Sequence, residues 1–116
     1  MDATTIDELR RRLDSDREQI VTQLVDMGVD PSTGVPDGES FNEGFADSGQ
    51  ATAEKARILS IAEGLLQTKR EIDAALKRVE DGSFGRCESC GEAIPPERLE
   101  ARPFARLCMK CARRAQ

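Results

Sequence analysis

The sequence predicts a mainly α-helical chain: an antiparallel helical hairpin of the coiled-coil kind, followed by a small cysteine-held region with a short C-terminal helix. Three observations predict it. Apolar residues recur every seven positions in two long segments. An acidic connector rich in Gly and Pro separates those segments. All four cysteines fall within residues 87–111. The composition points the same way, since only 24 of the 116 residues are Leu, Ile, Val or Phe, and Trp and Tyr are absent. One domain fits this length, but a thick core does not, so the fold must draw on long helices, a metal or a partner.

The first helix is expected over about residues 6–27. Ile6, Leu13, Ile20 and Met27 stand seven apart, Leu9 and Leu24 fill the alternate seam positions, and Val21 and Val25 widen the stripe. Thr5 with Glu8 three residues later has the form of a capping box, and Gly28 ends the segment. Residues 28–46 contain four Gly and two Pro, which argues against a continuous helix or strand. The second helix is expected from Asp47 or Ser48 to about Asp81, with Ile58, Leu65, Ile72 and Val79 again at seven-residue spacing and Ile61, Ala62, Ala75 and Leu76 beside them. At 1.5 Å per residue the helices measure about 33 and about 50 Å, so the pair forms a rod-like antiparallel hairpin. The expected division is residues 1–81 for the hairpin, with its acidic tip loop at about 28–47, and residues 82–116 for the cysteine region.

Charge is distributed unevenly. The net charge is −5, yet residues 1–81 sum to −8 and residues 82–116 to +3. Residues 26–54 hold seven acids and neither Lys nor Arg. Such a surface repels phosphates, which argues against sequence-specific DNA binding and favours a basic protein partner for the acidic end. The chain has no His, which removes Ser-His-Asp triads, Cys-His dyads and histidine-ligated zinc hydrolases. It shows no apolar run of membrane-spanning length and no secretory leader pattern, so a cytoplasmic location without membrane contact is expected.

The cysteines read Cys87-Glu88-Ser89-Cys90 and Cys108-Met109-Lys110-Cys111, a C-x2-C-x17-C-x2-C pattern. Two residues between thiols form a turn that brings both sulfurs to one ion, and Zn²⁺ takes four tetrahedral thiolates. One zinc held by Cys87, Cys90, Cys108 and Cys111 is therefore expected. Four thiolates leave no open position for water, so the zinc is structural and the chain is not an enzyme. Arg86, Lys110, Arg113 and Arg114 stand near the pairs and offset the negative charge of such a centre. Two disulfides, or a redox role for one C-x-x-C pair, are the alternatives, and reduced cytosolic thiols weigh against both. Phe84 and Phe104 are expected beside the cysteines. Phe41 and Phe45 either pin the connector to the hairpin or meet a partner.

Residues Leu76 to Gly91, then Ile94, Arg98 to Pro103 and Leu107 to Cys111, closely resemble the DksA/TraR family of bacterial transcription factors. The resemblance implies a factor that binds RNA polymerase through its secondary channel, places an acidic hairpin tip near the active site, and modulates open-complex stability and initiation. It implies Asp47 as a tip residue contacting the partner; helix N-cap is the competing role for that side chain. Gly44 and Gly49 stand where the family's tip has a second aspartate and an alanine. It further implies Arg102 as a contact for a nucleotide effector, guanosine tetraphosphate, whereas Arg102 read by itself is a surface residue pairing with Glu97 or Glu100. Thr68, Glu71 and Ala112 depart from the family at the other effector positions, so weak or no dependence on that nucleotide is expected. A monomer is expected. The alternative function is a structural interaction module, a zinc-stapled hairpin in which Leu59 and Leu66 join a second copy, without polymerase binding. A zinc-ribbon nucleic-acid binder using the basic C-terminal residues is a further alternative.

Overall fold

The computed structural model of the chain describes residues 2–36 and 49–115. Among the described residues there are four helices: α1 (Ala3–Asp26), α2 (Gly49–Asp81), α3 (Pro96–Ala101) and α4 (Met109–Arg114). Among the described residues there are no strands, only isolated antiparallel bridges between Val29 and Pro36 and between Arg86 and Ala93. The fold is mainly α, with α1 and α2 as a helical hairpin. No helix of the described residues is long and apolar enough to cross a membrane.

Helix α1 begins three residues before the expected start, and Asp2 caps it in place of Thr5. The Thr5 amide donates to Asp2 Oδ1 at 2.8 Å, which satisfies one of the orphan N–H groups of the first turn. That same amide, helped by the Thr5 hydroxyl, holds the Asp2 carboxyl below its ordinary value of 3.8. A carboxylate outcompetes a hydroxyl here because it also meets the positive end of the helix dipole. Both long helices end in the same way. Gly28 (φ 78°) and Gly82 (φ 80°) take the left-handed conformation. Val29 N–H then reaches back to Leu24 O at 2.9 Å, and Ser83 N–H to Arg78 O at 3.0 Å. These are Schellman closures, which satisfy carbonyls that the last turn would otherwise leave open.

The chain forms two compact units, residues 18–70 and residues 1–17 with 71–116. In the first, Ile20, Leu24, Val29, Ala62 and Leu66 form the buried face. Residues 29–36 belong to it as an ordered turn rather than open connector. Asp30 N–H donates to Val35 O at 2.9 Å, Gly34 N–H to Asp30 O at 2.8 Å, and Ser32 N–H to Asp30 Oδ1 at 2.8 Å. Gly34 (φ 75°) lies against Leu66 so closely that a Cβ would collide with its side chain. This corrects the reading of Leu66 as a residue left over for a second copy: the turn covers it. Ile61 and Val25, read as edges of the apolar stripe, are instead 46% and 58% exposed. A straight helix drifts from a strict seven-residue repeat, so on α2 the buried positions at this end shift to Ala62 and Leu66.

In the second unit Leu9 and Leu13 of α1 and Ile72 and Ala75 of α2 form the buried face. The first part of α1 shares a unit with the last part of α2, and the last part of α1 with the first part of α2, so the helices run antiparallel. Arg17 Nε pairs with Asp73 Oδ1 at 2.5 Å. The Arg12 guanidinium donates to the Glu100 carbonyl, linking α1 to the end of α3. Helix α3 was not among the expected elements. Pro96 at its first position supplies the preset φ, and Leu99, fully buried, anchors it beside the buried Ile94 and Ala105. The expected terminal helix is present as α4, following directly from Cys108.

The expected tip residues Gly44 and Asp47, the rest of the connector from residue 37, and Phe41 and Phe45 lie outside the described residues.

Candidate metal centre

Two knuckles bring the cysteines together. The first grows out of the end of α2. Gly85 (φ 89°) turns the chain, Arg86 bridges Ala93, and Cys87 N–H donates to Glu92 O at 2.8 Å. Gly91 (φ 78°), right after Cys90, closes the turn with its N–H on Cys87 O at 3.0 Å. Arg86 Nη1 donates to Gly91 O at 3.3 Å. The second knuckle is Cys108 with the first turn of α4, where Cys111 follows one helical turn later. Ile94 N–H on Gly85 O (2.7 Å) closes the base of the first knuckle, and Glu88 N–H on Arg106 O (2.9 Å) ties it to the stretch before the second.

The four sulfurs lie within 4.8 Å of one another, and Cys90 Sγ is 3.8 Å from Cys108 Sγ. Four thiolates at Zn–S distances of about 2.3 Å on a tetrahedron are separated by about 3.8 Å, so this donor set has the spread that one zinc requires. The cysteines are free thiols, and the Cys90–Cys108 separation is far beyond a covalent S–S bond, which sets aside the disulfide alternative. Cys87 and Cys111 are buried, Cys108 is half-buried and Cys90 is exposed.

The electrostatics divide the four thiols, favouring the thiolate at Cys87 and Cys108 and opposing it at Cys90 and Cys111. The Cys108 amide, with those of Cys90 and Ser89, stabilises the Cys87 thiolate and lowers its pKa to about 6. The Cys111 amide lowers the Cys108 thiol without forming a capping hydrogen bond. Ser89 favours the Cys111 thiolate, but the neighbouring Cys87 and Cys108 sulfurs and burial outweigh it and push that thiol up to about 12. Cys90 is also raised: the Glu92 amide lowers it, and burial with the Cys87 and Cys108 sulfurs prevails. Four sulfurs this close do not all ionise unaided. A dication makes the full set favourable, which is why metal binding to such a cluster releases protons.

The surrounding scaffold contains residues whose roles sequence reading missed. Arg78, taken there only as one of the α2 residues, is 8% exposed. Its Nη1 donates to Glu88 Oε1 at 3.1 Å and its Nη2 to Phe104 O at 3.5 Å. Arg98 Nε donates to Leu107 O at 2.8 Å, directly before Cys108, and its Nη1 lies 3.0 Å from Met109 Sδ. No local pattern signals either role, because the partners are 9–26 residues away. Phe84 is buried and Phe104 is half-buried. Arg102 is exposed, with its guanidinium carbon 5.4 Å from the Phe104 ring centroid. A cation–π contact therefore takes the place of the expected pairing with Glu97 or Glu100. Thr68, one of the departures at the effector positions, donates its hydroxyl to Gly64 O at 3.1 Å within α2.

Comparison with known proteins agrees with this centre. The family model for the prokaryotic dksA/traR C4-type zinc finger matches residues 82–116. The chain is 57% identical over 42 residues to the RNA polymerase-binding transcription factor DksA of Escherichia coli, covering 36% of this chain and 28% of that protein. It is 44% identical over 75 residues to the factor of the same name from Caulobacter vibrioides, covering 62% of this chain and 53% of that one. The matched stretches thus span about a quarter to a half of these relatives' length. Among solved structures, transcription factor DksA2 from Pseudomonas aeruginosa superposes with a TM-score of 0.77 at 26% identity, over 99% of this chain and 85% of that one. A C4 zinc-finger match and four gathered thiols identify the cofactor as one structural Zn²⁺. With a dksA/traR-type zinc-finger match over residues 82–116 and a fold like that of DksA2, the chain is similar to members of the DksA/TraR family.

Proposed function

We propose that this chain is a transcription regulator that binds RNA polymerase and carries out no chemistry of its own. The observation that carries the proposal is the likeness to DksA2 over 99% of the chain, zinc finger and hairpin together. In this reading Cys87, Cys90, Cys108 and Cys111 are the zinc ligands. Residues 82–116 form the zinc-finger region, residues 1–81 the hairpin, and the acidic segment at about 28–47 its working tip. The tip enters the secondary channel and alters open-complex stability. The run of seven acids without a Lys or Arg between residues 26 and 54 suits a basic protein surface and repels nucleic acid. The protein acts in the cytoplasm, where polymerase is, as a monomer. Asp47 is the tip carboxylate of this proposal. Arg102, exposed and stacked on Phe104, is the residue through which a nucleotide effector would act, and the altered partners Thr68, Glu71 and Ala112 make that dependence weak.

Open-complex lifetime at a short-lived promoter, measured with wild type and Asp47→Asn, tests the tip assignment. The proposal expects the wild type to shorten the lifetime and the variant to bind polymerase normally with less effect. Equal loss of binding and effect would show that Asp47 serves the fold.

A further inference from the structure

Arg78 is the one described residue that buries a charge with an unsatisfied donor. Its side chain is 10% exposed, and its Nε has no hydrogen-bond partner. Among the described residues the charge rests on two contacts, Glu88 Oε1 at 3.1 Å and Phe104 O at 3.5 Å. Glu88 lies inside the first knuckle, between Cys87 and Cys90. Its backbone N–H is held by Arg106 O at 2.9 Å, and its second carboxylate oxygen is 3.5 Å from Arg106 Nη1. One side chain of α2 therefore reaches into the metal knuckle, and the stretch before the second cysteine pair holds the same carboxylate from the other side.

From this geometry we infer that Arg78 and Glu88 are positioning residues for the zinc centre, and that the ion pair between the buried guanidinium and the half-exposed carboxylate couples metal binding to the end of α2. The inference rests on the four cysteines being the ligands. A guanidinium this buried is costly unless its carboxylate is in place. The carboxylate is in place only while the knuckle is closed, and the metal is what closes the knuckle. Conversely, Arg78 fixes the residue between the first two ligands and so preorganises the sulfurs. The backbone carries the same coupling, because Arg78 O accepts from both Ser83 and Phe84 N–H (3.0 and 3.1 Å), the link from α2 to Gly85 and the knuckle. Glu88 is half-exposed and retains Arg106 if Arg78 is lost, whereas Arg78 without Glu88 is stranded. The two substitutions are therefore unequal.

Zinc affinity of the full chain, measured by competition with a chromogenic chelator, tests this with Glu88→Gln, Arg78→Leu and the double variant. Loss of a hydrogen-bond partner of a metal ligand typically weakens binding about tenfold to a hundredfold, and Glu88, which holds Arg78 and Arg106 rather than a sulfur, acts one step further out. Glu88→Gln is therefore expected to lose about tenfold, at the low end of that range, Arg78→Leu to lose less, and the double variant to recover to the level of Arg78→Leu, since no charge is then buried unpaired. Wild-type affinity in Glu88→Gln, or single losses that simply multiply in the double, would overturn the coupling. Wild type failing to take one zinc would overturn the ligand assignment itself. If Glu88→Gln does not fold, amide exchange on the wild type serves instead. The amides of Ser83 and Phe84 should lose protection when zinc is chelated, and unchanged protection there would refute the coupling.

Discussion

Replacing Gly34 with Ala tests how the ordered turn at residues 29–36 is seated on α2. Two costs arise at this position. At φ 75° a side chain suffers the left-handed penalty of about 1–2 kcal/mol. The new methyl group would also meet Leu66 Cδ2. That atom is the end of a flexible side chain, so Leu66 escapes by changing rotamer within a buried site, at the low end of overpacking costs, about 1 kcal/mol. Gly82 provides the control, since it has φ 80° and open space within 4 Å of a built Cβ. Gly82→Ala carries the backbone penalty without the clash, and the gain from a stiffer unfolded chain is the same for both and cancels. Gly34→Ala should therefore be less stable than Gly82→Ala by about 1 kcal/mol, with denaturant unfolding at fixed zinc as the assay and equal slopes as the check on two-state behaviour. In a Leu66→Ala background the difference should shrink. Equal stability of the two glycine variants in the wild-type background would refute the close seating of the turn on Leu66.

Further outcomes follow from the same structure. Leu99→Ala opens a cavity at the fully buried anchor of α3 and should cost about 2–5 kcal/mol in denaturant unfolding of the zinc-loaded chain. Zinc affinity should fall on acidification. The bound form requires thiolates, and although the Cys87 thiol is already lowered to about 6, Cys111 is pushed up to about 12, so protons compete with the metal; chelator competition with no pH dependence would contradict thiolate ligation. The Asp2 carboxyl is lowered from 3.8, so its capping favours the folded chain above that value and is lost as pH falls through its folded pKa. The helicity lost in Asp2→Ala at neutral pH should accordingly shrink in acid, as read by circular dichroism.

Periodicity and spacing made much of this molecule legible. The repeats through Leu13, Ile20 and Ile72 gave away two helices, because a seven-residue apolar repeat has few other uses. The cysteine spacing gave away the metal, because the chemistry of the donors is in the letters themselves. What escaped depends on contacts distant in sequence. Arg78 is indistinguishable from a solvated helix residue until Glu88 and Phe104 are brought beside it. Leu66 appeared spare because its cover, a glycine at residue 34, carries no hydrophobic signal. The start of α1 was misplaced because Thr5 and Glu8 form a plausible capping box, while Asp2 three residues earlier is the stronger acceptor. Helix α3 is a single short element beginning at a Pro-Pro pair, with too few residues to show a period.

The central claim is most directly tested by binding of the zinc-loaded chain to cognate core RNA polymerase, titrated with and without a transcript-cleavage factor that occupies the secondary channel. The account predicts direct binding that the cleavage factor displaces competitively. Binding indifferent to that factor would contradict the channel mode, and absence of binding at micromolar protein would contradict the polymerase partner itself.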